Sequence, residues 1–281
     1  MLRAIVRSPA ACLGWAVLAL FIVLGIAGPL VAPYSPDAQN LAGRLAPPTL
    51  GGAGTGVHLL GTDQLGRDIL SRLVVGSRIT LLVAVVTVAT GGTLGCALGV
   101  VAGYYGGWTE RVIMRVVDIQ LAFPFILLAL IIIAVLGPSL PNLILVLAIT
   151  SWVDYARVVR AEVLTIRERE FVEAARAIGV RDIRLLPYHI LPNVYTAVIV
   201  IATLQIAKVV ILEASLSFLG LGIQPPTPSW GRMLADGRDF VASAWWLAAF
   251  PGLAILFLVL SVNLVGDWLA VYFNPRLRRA G

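Results

Sequence analysis

Charge is what this chain has least of. Of 281 residues only 13% are charged, against 59% hydrophobic, and the mean hydropathy is +0.93. A soluble domain carries about twice that share of charge, so the composition belongs to a chain dissolved in a bilayer. Lysine is nearly missing as well. All of the 21 basic residues are arginine except Lys208, and the net charge of +6 is scattered between apolar runs instead of gathered into a nucleic-acid-binding patch. The two cysteines, Cys12 and Cys96, both fall in apolar stretches, which excludes a disulfide framework. The two histidines, His58 and His189, show no metal-ligand spacing. There is no G-x-x-x-x-G-K-[ST], so the chain does not bind ATP by a phosphate loop. Nor does it contain H-E-x-x-H or G-x-S-x-G, and no catalytic residue is assigned.

What is present is a series of apolar runs. Pro9 to Val31 follows a short basic start with Arg3 and Arg7. It exceeds the apolar core of a signal peptide and reads as an uncleaved first span. Further spans are expected at Ile79–Tyr105, Ile119–Leu136, Leu140 to about Val159, Val194–Phe218 and Ala244–Phe273, the last interrupted by Pro251-Gly252. The chain is thus expected to be all-α: a polytopic membrane protein of six transmembrane helices. Its expected divisions are 1–32 (N-terminus and first helix), 33–78 (extracytoplasmic loop), 79–273 (a five-helix core including a 160–193 loop) and 274–281 (a basic tail). With six spans both termini share a side. That side holds 14 of the basic residues and the other holds 6 outside the membrane, which places both termini in the cytoplasm.

Within the second span Gly91, Gly95, Gly99 and Gly103 recur every four residues, a stripe that admits another helix closely. Lys208 and Glu213 lie inside the fifth span. Charge at that depth marks a candidate translocation path, and each is expected to face the bundle interior or a water-filled path. Leu60 to Arg72 contains Gly61-Thr62-Asp63-Gln64-Leu65-Gly66-Arg67-Asp68, readable either as a capped surface helix starting at Thr62 or Asp63 or as a functional segment.

The most charged segment is Arg167 to Asn193. Phe171, Ala174, Ala175 and Ile178 share one side of a helical wheel. Gly179 stands where a left-handed cap would end that helix. Asp182 can start a second short helix, which Pro187 and Pro192 are expected to limit.

The set Glu173-Ala174-Ala175, Gly179 and Leu191-Pro192 resembles the EAA loop of bacterial ABC-importer permeases. The string His189-Ile190-Leu191-Pro192-Asn193, the Gly61–Asp68 segment and the run Glu213–Gly231 (EASLSFLGLGIQPPTPSWG) are similar to the peptide and nickel branch of that family. The resemblance, over roughly Leu60 to Phe273, implies two short cytoplasmic coupling helices formed by the loop, with Glu173, Ala174, Ala175, Gly179, Leu191 and Pro192 meeting a separate ATPase. It implies a transport subunit and no enzyme: a permease in the inner (plasma) membrane that moves di- or oligopeptides by alternating access, with nickel or another small solute as the alternative cargo. The implied partners are a second homologous permease, two ATP-binding cassette subunits and an extracytoplasmic substrate-binding protein, with membrane lipid around the spans. The chain itself would hold no metal and no cofactor, ATP and Mg being bound by the ATPase subunits. An ion-coupled secondary transporter is the reading from another class. Lys208 and Glu213 are too far apart around a helix to pair simply, and the two halves show no inverted repeat, both of which weigh against it.

Overall fold

The computed structural model describes residues 8–49 and 58–273. The basic start at Arg3 and Arg7 and the tail 274–281 lie outside the described residues. In chain order the helices are α1 (Pro9–Val31), α2 (Ile69–Tyr105), α3 (Gly107–Ala122), α4 (Phe125–Leu136), α5 (Leu140–Arg167), α6 (Glu170–Ala177), α7 (Asp182–Leu185), α8 (Leu191–Phe218), α9 (Trp230–Gly237) and α10 (Trp246–Phe273). Among the described residues five helical stretches are long and apolar enough to cross a bilayer, and a bent pair makes up to six.

That bent pair corrects the third span. Where one helix was expected over Ile119–Leu136, α3 ends at Ala122 and α4 leaves it at 88°. Pro124 is the cause: it has no N–H to continue the ladder, and it drives Phe123 out of the helical region to ψ 128°. At 12 residues α4 is about 18 Å long, short of a hydrocarbon core of roughly 30 Å. Other boundaries move outward. The second span begins at Ile69 and not Ile79, and the fourth runs on to Arg167. In α10 Pro251 is absorbed without the expected interruption.

By internal packing the chain forms two compact units, Met1–Val85 with Leu130–Ile144 and Ile206–Val265, and Val86–Ala129 with Leu145–Gln205 and Gly266–Gly281. In the first, the Gly61–Asp68 segment is neither the capped helix expected at Thr62 or Asp63 nor a free surface. It is a buried turn. One Asp63 carboxylate oxygen accepts the backbone N–H groups of Leu65 and Arg67 at 2.9 Å each, and the other accepts Arg67 Nε at 2.6 Å. Asp68 is the residue that caps α2, accepting Ser71 N at 2.7 Å while His58 Nδ1 lies 2.9 Å from its other oxygen. Thr62, Asp63, Arg67, Asp68 and Arg72 are all buried. Trp246 Nε1 donates to the Thr62 carbonyl and Trp230 Nε1 to that of Leu73, so α9 and α10 are pinned to this turn and to the start of α2. Burial of Asp63, Arg67, Asp68 and Arg72 with each of these charged groups engaged is the signature of a structural latch.

Candidate functional site

In the second unit the glycine stripe of α2 is filled by α5. A Cβ at Gly91 would stand 2.0 Å from Ser151 Oγ, at Gly95 2.2 Å from the Trp152 carbonyl, at Gly99 2.8 Å from that of Ala156, and at Gly103 2.8 Å from Val163 Cβ. Each step along the stripe meets a later residue of α5, so the two helices run together without side chains between them. Trp152 Nε1 donates to Gln120 Oε1 at 2.9 Å, and the Gln120 amide donates to the Ile149 carbonyl, which fastens α3 to α5. Glu110 on α3 pairs with Arg160 on α5.

The α2–α5 pair carries the charged segment at its end. Helix α6 starts after Arg169 with Glu170 and Glu173 in its first turn and closes with Arg176 in its last, an order that suits the helix dipole. Gly179 has φ +81°. Its N–H reaches the Arg176 carbonyl at 2.9 Å, and Val180 N reaches that of Ala175 at 3.0 Å, the paired bonds of a left-handed cap. Nothing lies within 4 Å of where a Cβ would go, so the dihedral alone requires glycine. Asp182 then opens α7 as expected, but Pro187 and Pro192 do not end the second helix. A π-turn over Leu186–Ile190 makes the backbone continuous from Asp182 to Phe218. Its wider i→i+5 bonding, here Leu191 N to the Leu186 carbonyl, accommodates the N–H groups that the prolines lack.

The expected apolar face divides in two. Val172 and Ala175 are buried in a cluster with Val163, Ile166, Leu185, Ile190 and Val194. Phe171, Ala174 and Ile178 are exposed, and with Ile183 (79% exposed) and Tyr188 (74%) they make an uncovered apolar surface, Ile178 being 82% exposed. Ala175 therefore packs inside this chain, which corrects its expected place at a partner's surface. Glu173, Gly179, Leu191 and Pro192 are exposed, as a contact surface requires. Three polar contacts hold the segment to the end of α2: Tyr104 Oη to Asp182 at 2.5 Å, the Arg176 guanidinium 5.1 Å over the Tyr104 ring, and Arg167 Nη1 to the Gly103 carbonyl at 2.9 Å.

Lys208 and Glu213 belong to the other compact unit. Glu213 is buried at 1% exposure. Ser217 donates to one of its oxygens at 2.8 Å, and Ser229 faces the same carboxyl group. It thus ties α8 to the start of α9, where Gly231 lets the two backbones close: a Cβ there would lie 2.6 Å from Ala214 Cα. Lys208 is exposed on the chain surface, so of its two expected places it does not take the buried interior of this chain. Sequence reading passed over a third polar position in the spans. Asp154, midway along α5, accepts the Gln205 amide of α8 at 2.6 Å. Its signal was a lone carboxylate within the apolar run after Leu140. Among the described residues no group of three or more His, Cys, Asp and Glu could hold a metal ion.

With this geometry in hand, residues 95–279 match the family of binding-protein-dependent transport system inner membrane components, and residues 1–48 match the N-terminal transmembrane domain of oligopeptide transport permease C. The chain is 41% identical over 97% of its length to a dipeptide transport system permease protein of Alkalihalophilus pseudofirmus, covering 88% of that protein. It is 44% identical to a di/tripeptide transport system permease protein of Pseudomonas aeruginosa, over 93% of this chain and 86% of that one. It is 43% identical to a dipeptide transport system permease protein of Escherichia coli K12, over 97% and 91%. Among solved structures, an inward-facing MetNI methionine ABC transporter shares the fold with a TM-score of 0.61 at 20% identity, over 72% of this chain and 96% of that one.

Proposed function

From the premise that this chain belongs to the binding-protein-dependent transport system inner membrane components, we propose that its cargo is a di- or oligopeptide and that Arg167–Asn193 is where ATP hydrolysis is coupled to transport. The chain is a permease subunit of an ABC importer, and the ATPase is a separate subunit. Similarity above 40% along nearly the whole chain to permeases named for di- and tripeptides supports the cargo.

The observation that carries the coupling role is the divided face of α6. Val172 and Ala175 root the helix in a buried cluster continuous with α2, α5 and α8, while Ala174, Ile178, Ile183 and Tyr188 stand uncovered above it. A coupling element must be soft on neither side: it has to grip the ATPase and pass displacement to the spans without deforming. Apolar area left in water offers the grip, and close packing beneath it makes the surface move with the helices it stands on. Two ATPase subunits, a second permease related to this one and an extracytoplasmic binding protein complete the assembly in this reading. The termini and the coupling element face the cytoplasm.

The test is reconstitution with the ATPase and binding protein. Ile178→Glu with Ile183→Glu puts two carboxylates on the uncovered surface and leaves the buried cluster alone. The expected outcome is normal membrane insertion with pull-down of the ATPase and cargo-stimulated hydrolysis both reduced at least tenfold. Unchanged pull-down and unchanged uptake of labelled dipeptide would refute the coupling role.

A further inference from the structure

The first compact unit carries an open apolar groove that neither the latch nor the coupling segment uses. It measures about 480 Å³ and is walled by Ile211 and Phe218 of α8, Leu234 of α9, and Gly252 and Ile255 of α10. Ser215 brings the one side-chain hydroxyl in the lining, and it donates back to the Ile211 carbonyl at 2.8 Å. From Phe218 down to Ile211 the groove follows about 10 Å of α8, at the end farthest from the coupling segment. That length fits within one leaflet of a roughly 30 Å hydrocarbon core. The mouth, by contrast, is charged. The Arg238 guanidinium stands 5.6 Å over the Phe218 ring, and Asp239 pairs with it at 3.1 Å. Both side chains are well exposed, at 61% and 73%. Trp245, just before α10, is 56% exposed, as suits an indole at the boundary between hydrocarbon and headgroups.

We propose that this groove holds one acyl chain of a phosphatidylethanolamine whose headgroup lies on Arg238 and Asp239. A wall with no free side-chain donor or acceptor fits hydrocarbon and excludes a peptide backbone, whose N–H and C=O groups would go unpaired against it. The volume is that of a single long acyl chain. A helix with its side chains is roughly 10–12 Å across, so even a 10 Å length of one displaces more than the groove contains. The headgroup follows from the two charges at the mouth. Arg238 can give a pair of N–H donors to the phosphate, and Asp239 can accept from the ammonium. The exposed pair that these neighbours now make is weak, so exchanging it for the headgroup costs little. Phosphatidylglycerol has no cation in its headgroup; it would answer Arg238 and leave Asp239 beside a like charge. A lipid seated there joins α8 to α10 along a face that their own side chains leave unfilled.

The experiment titrates the delipidated permease–ATPase complex in detergent with dipalmitoyl phosphatidylethanolamine or dipalmitoyl phosphatidylglycerol, and counts retained lipid by native mass spectrometry. The wild type is expected to hold one lipid at least fivefold more tightly than any further ones, and to favour the ethanolamine lipid at least fivefold at that site. Asp239→Asn should reduce this preference below twofold, and Arg238→Gln should weaken both lipids severalfold. Gly252→Leu fills the groove from its wall. A Cβ there meets only Leu234 Cδ1, at 3.5 Å, so the variant should fold and should lose the tight lipid of either headgroup. Equal retention by wild type and Gly252→Leu overturns the groove. A headgroup preference that survives both Arg238→Gln and Asp239→Asn overturns the assignment of the mouth. If Gly252→Leu separates the two permeases while the tight lipid stays bound, the groove belongs to the partner permease and the proposal fails. Should Gly252→Leu fail to assemble, the two exposed variants at the mouth decide the matter by the same criteria.

Discussion

Replacing Gly95 by alanine adds one methyl group at the tightest backbone contact of the α2–α5 pair. The new Cβ would lie 2.2 Å from the Trp152 carbonyl oxygen and 2.6 Å from Tyr155 Cβ. Ordinary contact begins near 3.4 Å, so the helices would have to part by about 1 Å, and the nearer obstacle is backbone that has no rotamer to yield. Two effects oppose one another. Alanine is a better helix former by about 1 kcal/mol. Overpacking a closed contact costs roughly 1–3 kcal/mol, and separating two helices also forfeits their dispersion contacts further along. In a bilayer the lipid supplies no hydrophobic drive to close the gap again, so the cost should prevail. The expected net loss is about 1–2 kcal/mol in unfolding of the detergent-solubilised chain, seen as a midpoint lowered by roughly 5 °C. Gly252→Ala in α10 is the control. Its Cβ meets only Leu234 Cδ1, at 3.5 Å, and should be neutral or slightly stabilising. If Gly95→Ala is as stable as wild type, or if Gly252→Ala is the more damaging of the two, the packing argument for the stripe is wrong.

Gly179→Val should fold and insert normally, because open space surrounds the position, yet a β-branched residue at φ +81° costs about 1–2 kcal/mol locally. Dipeptide uptake, with insertion followed separately, is expected to fall severalfold. Ala175→Trp should fail differently, since that side chain is 6% exposed inside a closed cluster: loss of folded protein in a fluorescence size-exclusion trace is expected before any loss of coupling. Arg67→Met removes the partner 2.6 Å from the buried Asp63 carboxylate and leaves Arg72 Nε at 3.8 Å as the remaining cation. It should destabilise the latch by about 3 kcal/mol, read as faster cleavage of the segment between α1 and α2 by added protease. For orientation, Thr49→Cys and Asp239→Cys, both exposed, should react with an impermeant thiol reagent from outside intact cells, and Ile183→Cys only after the membrane is opened. Labelling of Ile183→Cys from outside would invert the topology.

The features that local chemistry decides were legible in the residues. The run Pro9–Val31 is a helix because its length and composition permit nothing else in lipid, and α1 occupies those residues. Gly179 is a left-handed cap because glycine is the residue for which φ +81° carries no penalty, and the glycine stripe announced a close helix contact before its partner was known. Which helix fills the stripe was not legible. Four glycines in register state that something approaches, while the choice of α5 depends on contacts from Ser151 to Val163 that lie far along the chain. The same limit explains the division of the α6 face. A helical wheel puts Phe171, Ala174, Ala175 and Ile178 together, but the neighbours Val163, Ile166 and Val194 determine that Val172 and Ala175 turn inward and the others face out. Pro124 could have been read as a break, since the proline rule is local; the 88° turn between α3 and α4 was not in the residues. Pro187 and Pro192 were read as stops, and a π-turn whose energy depends on the cluster beneath it carried the helix through. Asp154 was visible as a lone acid in an apolar run, yet its place opposite Gln205 arises only when two helices separated by 51 residues of chain lie side by side. Sequence sets what each residue can tolerate, because sterics and solvation act within a few bonds. Partnership is settled by tertiary packing, because it is a property of pairs that the chain brings together only once it is folded.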